Sequence, residues 1–170
     1  MIISKFEVLI LISRETVKSV YLRLMIQNIR VTKQFDFETA HALDGYTGKC
    51  QDIHGHSYHL QITVIGKPIV DKAESANGMV IDFGEIKRIV NDKIIVLFDH
   101  RLILRNDSRF NGIEANNMRV RYVKYQPTCE NMLIEIVDVL KQQFGIGVEL
   151  HSIMLRETAN SFAEWYAKDN

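Results

Sequence analysis

Ile29-Arg30-Val31-Thr32-Lys33-Gln34-Phe35-Asp36-Phe37-Glu38-Thr39-Ala40-His41 alternates with a period of two. Ile29, Val31, Phe35, Phe37, Thr39 and His41 share one parity, and Arg30, Thr32, Gln34, Asp36 and Glu38 share the other. Successive strand side chains point to opposite faces, so this segment reads as a half-buried strand whose apolar face ends on a histidine. The turn formers Asp44-Gly45-Tyr46-Thr47-Gly48 follow, and then a second alternating segment. It sets His54, His56, Tyr58, Leu60, Ile62 and Val64 on one face and His59, Gln61 and Thr63 on the other, until Gly66-Lys67-Pro68 stops it. Glu74-Ser75-Ala76-Asn77-Gly78 reads as a hairpin or long turn.

Downstream the period changes. Asp82-Phe83-Gly84-Glu85 has the form of an N-cap with an acid three positions on, and Ile86, Ile89, Val90, Ile94 and Leu97 recur at helical spacing. Phe98-Asp99-His100-Arg101-Leu102 reads as the end of that helix, followed by a polar loop and a short strand around Val120, Tyr122 and Tyr125. Pro127-Thr128 opens a second helix carrying Met132, Leu133, Ile136, Val137, Leu140 and Phe144, closed by Gly145. Residues 148–156 and 161–166 read as two further strands. This order lacks regular strand-helix alternation, so an α+β fold with an antiparallel sheet is expected. No linker divides residues 28–170, which are read as one domain, with 1–27 as an N-terminal extension.

The chain has 170 residues, 46% of them apolar, with 21 basic and 21 acidic side chains, which suits one globular core. A formal charge of zero supplies no long-range field for nucleic acid or an anionic membrane, and neither is an expected partner. Two cysteines make no disulfide framework and point to a reducing compartment. The apolar run Val8-Leu9-Ile10-Leu11-Ile12 is too short to span a bilayer and has no small-residue cleavage site after a basic leader. The expected location is the cytoplasm. Met25, just before the patterned region, is the expected translation start, which intact mass of the natively expressed protein checks.

The chemistry gathers on histidines. His54 and His56 project to one side of their strand about 7 Å apart. His41 has the matching face of the preceding strand, so pairing of the two strands would bring three imidazoles together as a catalytic zinc set with an open position. The plainer reading is three structural histidines. Gly55 between the pair permits close approach of backbone or ligand. Cys50, among polar Lys49, Gln51 and Asp52, is either a small buried hydrophobe or a thiol activated by nearby positive charge, whereas Cys129 reads as structural. Asp99-His100 is either an acid/base relay or a solvated helix end. Glu157 is either a surface carboxylate or the acceptor of paired N–H donors from a heterocycle edge.

Phe37-Glu38-Thr39-Ala40-His41, Gly48-Lys49-Cys50, His54-Gly55-His56-Ser57-Tyr58, Asp99-His100, Pro127-Thr128-Cys129-Glu130-Asn131 and Arg156-Glu157-Thr158 occur in this order. Together they resemble the 6-pyruvoyl-tetrahydropterin synthase and 6-carboxy-tetrahydropterin synthase family from Ile29 to Tyr166. The resemblance implies the tunnelling fold: an antiparallel four-stranded sheet with two helices on one face, joined into a homo-oligomer, usually a hexamer with active sites between subunits. It implies that His41, His54 and His56 hold Zn2+, that Cys50 is the general base and that His100, supported by Asp99, is its acid/base partner. Glu157 becomes the pterin anchor in the active site, with Glu130 and Thr128 lining the same pocket. The implied substrate is 7,8-dihydroneopterin triphosphate. The short Cys50-to-His54 spacing is similar to the bacterial carboxy branch, which releases acetaldehyde and triphosphate on the route to queuosine. The pyruvoyl branch of tetrahydrobiopterin synthesis is the alternative enzyme, and a zinc-stabilised binding domain without turnover is the non-enzyme alternative.

Overall fold

The strands β1 (Ile29–His41) and β2 (His54–Gly66) pair antiparallel from Ile29↔Gly66 to His41↔His54 without a break. They were identified in a computed structural model that describes residues 16–20, 22, 27–113 and 118–170. The run Val8-Leu9-Ile10-Leu11-Ile12 and Met25 lie outside the described residues. After a loop in which Gly78 N–H donates to Ile69 O at 2.7 Å, helix α1 (Phe83–Val90) starts on Asp82, whose side chain accepts from the Gly84 amide. The chain continues through a wider π-helical turn, Asn91–Ile95, and a last turn, Val96–Phe98. Then come β3 (Arg101–Arg105), β4 (Val120–Val123), helix α2 (Cys129–Leu140), β5 (Val148–Thr158) and β6 (Ser161–Tyr166).

Both helices pack on one face of the sheet. Their buried residues, including Ile86, Val90, Ile94, Met132, Ile136 and Leu140, share a core with Phe35, Phe37, Tyr58, Leu60, Ile62 and Val64. Those strand residues have the parity read as apolar from the sequence, and each aliphatic side chain so buried contributes about 1.5–3 kcal/mol. The opposite parity of β1, with Thr32, Gln34, Asp36 and Glu38, is exposed.

The α+β class holds, but the sheet is not four-stranded and antiparallel. It has six strands in the order β4-β3-β1-β2-β5-β6. The antiparallel set β1, β2, β5 and β6 is extended by β3, parallel to β1, and by β4, parallel to β3. The segment read as a helix end is therefore partly a strand. Leu102, Ile103 and Leu104 are consecutive and all buried, because Ile103 joins the main core while Leu102 and Leu104 pack with Ala42 on the other side. A parallel strand covered on both faces shows no period-two alternation and so resembles a run of buried helix. The turn into it is made by His100, whose φ is 54°. Its amide donates to Glu38 O at 2.7 Å, which docks the start of β3 against β1.

Candidate metal centre and active site

The β1–β2 register sets His41 opposite His54, Thr39 opposite His56 and Phe37 opposite Tyr58, all directed to the helix-covered face. The ligand atoms of His41, His54 and His56 lie within 4.8 Å of one another. His41 Nδ1–H donates to Pro127 O at 2.6 Å, and His54 Nδ1–H donates to Asp52 O at 2.8 Å. Those bonds fix the tautomer and leave the Nε2 lone pairs free. The Nε2 atoms of all three rings are buried and make no hydrogen bond within the protein. A buried polar atom without a partner is costly, and three converging ones suit a tetrahedral divalent metal such as zinc. Burial, foremost, and the neighbouring His54 charge lower the pKa of His41 against the opposing Pro127 bond, and burial likewise lowers that of His56. Both imidazoles are thereby kept in the neutral form that a metal needs.

Glu157, near the end of β5, brings Oε1 to 3.7 Å from His41 Nε2. The Tyr58 hydroxyl donates to that oxygen at 2.7 Å. Tyr58 is 0% exposed and stacks on Phe37 with centroids 5.3 Å apart. Burial, and then Glu157, push its pKa far upward, so it remains a proton donor. In the sequence Tyr58 stands on the strand face of His54 and His56 and carries no assigned role. Its parity with His54 and His56 was the available signal, but its bond crosses to a strand 99 residues away.

Thr128 caps α2 by accepting from Asn131 N, and the adjoining Pro127 carbonyl orients His41. Glu130 lies exposed in the first turn of the same helix. Cys129 is buried, donates to Leu155 O at 3.3 Å and has its thiol pushed up to about 12 by burial and then by Glu157. It is structural, as read.

Asp99 and His100 touch although they are adjacent. Asp99 Oδ1 lies 2.9 Å from His100 Nδ1 and accepts from the Glu38 amide at 3.0 Å. The left-handed backbone at His100 accompanies this geometry. Against the cost of desolvation, the Glu38 amide and His100 hold the Asp99 carboxyl below its usual range. The pair borders a cleft of about 440 Å³ whose lining includes Glu38, His56, Ser57, His100, Arg101 and Arg119. Glu38 and Ser57 have the strand parity opposite to the histidine triad. Cys50 is half-buried in the single turn Lys49–Gln51, and its carbonyl accepts from Leu43 N at 2.9 Å. Within one chain the triad and Glu157 thus converge, while Asp99–His100 borders a cleft that His56 also lines and Cys50 sits in a loop.

A family model described as 6-pyruvoyl tetrahydropterin synthase matches residues 30–168. The chain belongs to that family. Within it, the chain is 36% identical over 141 residues to the 6-carboxy-5,6,7,8-tetrahydropterin synthase of Rickettsia typhi, covering 80% of this chain and 99% of the relative. The enzyme of the same name from Haemophilus influenzae is 34% identical, with 80% and 97% covered. Among solved structures, the Caenorhabditis elegans 6-pyruvoyl tetrahydropterin synthase aligns with a TM-score of 0.57 at 19% identity, over 84% of this chain and 98% of that one. An uncharacterized Wolinella succinogenes protein aligns with a TM-score of 0.64 at 19% identity, over 83% and 99%. These likenesses extend the family assignment to the fold. Among the described residues, no helix is long and apolar enough to cross a membrane.

Proposed function

We propose that the chain is a zinc-dependent 6-carboxy-tetrahydropterin synthase. It converts 7,8-dihydroneopterin triphosphate and one water to 6-carboxy-5,6,7,8-tetrahydropterin with release of acetaldehyde and triphosphate, in 7-deazaguanine synthesis leading to queuosine. The observation that carries this reading is the convergence of three unpartnered Nε2 atoms beside Glu157. The names of the bacterial relatives favour the carboxy over the pyruvoyl branch. His41, His54 and His56 hold the zinc, which when bound supplies Lewis-acid polarisation of the substrate's side-chain oxygens.

Glu157 anchors the pterin by accepting from two adjacent N–H donors, a pairing that selects a heterocycle edge of that shape. Tyr58 keeps the carboxylate oriented for it, and Thr128 and Glu130 border the same pocket. Cys50 acts as base, and His100, oriented by Asp99, returns the proton. The 2.9 Å approach of Asp99 to His100 Nδ1 supports that relay because it leaves Nε2 as the exchanging atom. Among the described residues no hydrogen bond joins Cys50 or the Asp99–His100 pair to the triad within one chain, which supports a homo-oligomer, a hexamer, in which a neighbouring copy completes each site.

Zinc-loaded protein turns over 7,8-dihydroneopterin triphosphate, and chelated protein regains turnover when zinc returns. Equal turnover after complete zinc removal would contradict the reading. Cys50→Ala retains zinc and loses turnover. Loss of zinc in that variant would instead make Cys50 a ligand of a structural site.

A further inference from the structure

The open face of the sheet carries a row of hydroxyls at the end remote from the histidines. Thr32 pairs with Thr63, Thr63 with Ser152 and Ser152 with Tyr166, one residue from each of β1, β2, β5 and β6. Thr32 Oγ1 and Thr63 Oγ1 lie 2.9 Å apart, so one donates to the other and one hydroxyl proton stays available. Beside Thr63 the β2–β5 register slips, since Thr63 opposes Ser152 while Val64 opposes Leu150. His151 is the extra residue. A bulge of this kind re-aims a side chain without disturbing its neighbours, and Leu150 and Ile153 stay buried in the core at 6% and 1% exposure. His151 and Ser152 consequently both line one cavity of about 330 Å³, together with Arg30, Thr32, Thr63 and Lys168.

The cavity is lined by cations and hydroxyls, and no carboxylate is among its lining residues. Among the described residues, neither Arg30 nor Lys168 forms an ion pair with an acid. Glu164 accepts from the Tyr166 hydroxyl at 3.2 Å and stays outside the lining. Burial first, and then the fields of Arg30 and Lys168, lower the pKa of His151, so all three bases act on the same space. Two uncompensated cations, an imidazole and several hydroxyls suit a multiply charged anion with many acceptor oxygens better than a single carboxylate.

We infer that this cavity is a second anion site, shaped for an oligophosphate chain. Its Arg30 lies eleven residues along β1 from His41, about 36 Å, and on the other sheet face, so the site is separate from the histidine triad. The chain can come free, as inorganic triphosphate, or as the tail of a nucleotide.

Calorimetric titration of the zinc-loaded, full-length protein with inorganic triphosphate tests the site. Arg30→Gln/Lys168→Gln weakens binding about a hundredfold or more, since two charge-assisted bonds are lost. His151→Gln, which nearly preserves volume, gives a smaller loss at unchanged melting temperature. His56→Ala, in the other site, leaves this binding intact. Parallel titration with a nucleoside triphosphate identifies the source: tighter binding indicates a nucleotide, and binding of triphosphate alone indicates the free chain. Undiminished affinity in Arg30→Gln/Lys168→Gln, or the same loss from Arg101→Gln/Arg119→Gln in the cleft beside His100, would overturn the inference.

Discussion

The Tyr58 hydroxyl donates to Glu157 Oε1 at 2.7 Å, and that oxygen is 3.7 Å from His41 Nε2. One buried tyrosine from β2 therefore sets the position of a β5 carboxylate relative to a histidine at the end of β1. Removing the hydroxyl without the ring separates orientation from packing. Tyr58→Phe keeps the Phe37 stack and the zinc, but lowers kcat/KM about tenfold by freeing Glu157. Metal analysis and steady-state kinetics check this, and unchanged kcat/KM would show that Glu157 needs no such support.

The metal set is tested by single substitutions. His56→Ala leaves two imidazoles and loses tight zinc binding, with the structure otherwise retained because His56 is only half-buried. Zinc content after dialysis, with far-UV circular dichroism as the folding control, gives the answer. Retained stoichiometric zinc would remove His56 from the site.

The two thiols differ in chemistry. Cys129 is buried with its thiol pushed up to about 12, whereas Cys50 is half-buried in a loop. Iodoacetamide near pH 8 labels Cys50 and spares Cys129, since the thiolate is the reacting form. Peptide mass mapping reads the order of labelling.

The raised pKa of Cys129 also carries a stability consequence. The folded state keeps the proton that the unfolded chain releases above its ordinary value near 9.0. Stability contributed by this group is therefore complete below about pH 9 and declines as pH rises toward 12. Cys129→Ala flattens that part of the alkaline melting-temperature profile. An unchanged slope would mean that other groups, such as Tyr125, govern it.

Much of this organisation was legible in residue order. The alternation from Ile29 to His41 and from His54 to Val64 gave the strand faces, and the place of the three histidines on the apolar face of each strand predicted that they would meet once the strands paired. Asp82 and Thr128 announced both helix starts, because a side-chain acceptor at an N-cap is a local property. Arg101–Arg105 was hidden because its Leu102-Ile103-Leu104 run is buried on both sides, which erases the period. Asp99 reaching the His100 ring depended on a positive φ at a non-glycine residue, which no spacing rule anticipates. The Tyr58–Glu157 bond depended on bringing distant strands together. Local pattern thus marked the ligands, while the supporting contacts arose from tertiary pairing.

The products that zinc-loaded protein forms from 7,8-dihydroneopterin triphosphate decide between the carboxy and pyruvoyl activities. A 6-carboxy-tetrahydropterin synthase releases one acetaldehyde and one triphosphate per 6-carboxy-tetrahydropterin formed, and Glu157→Ala abolishes all three. A 6-pyruvoyl product formed with triphosphate but without acetaldehyde would contradict the carboxy activity.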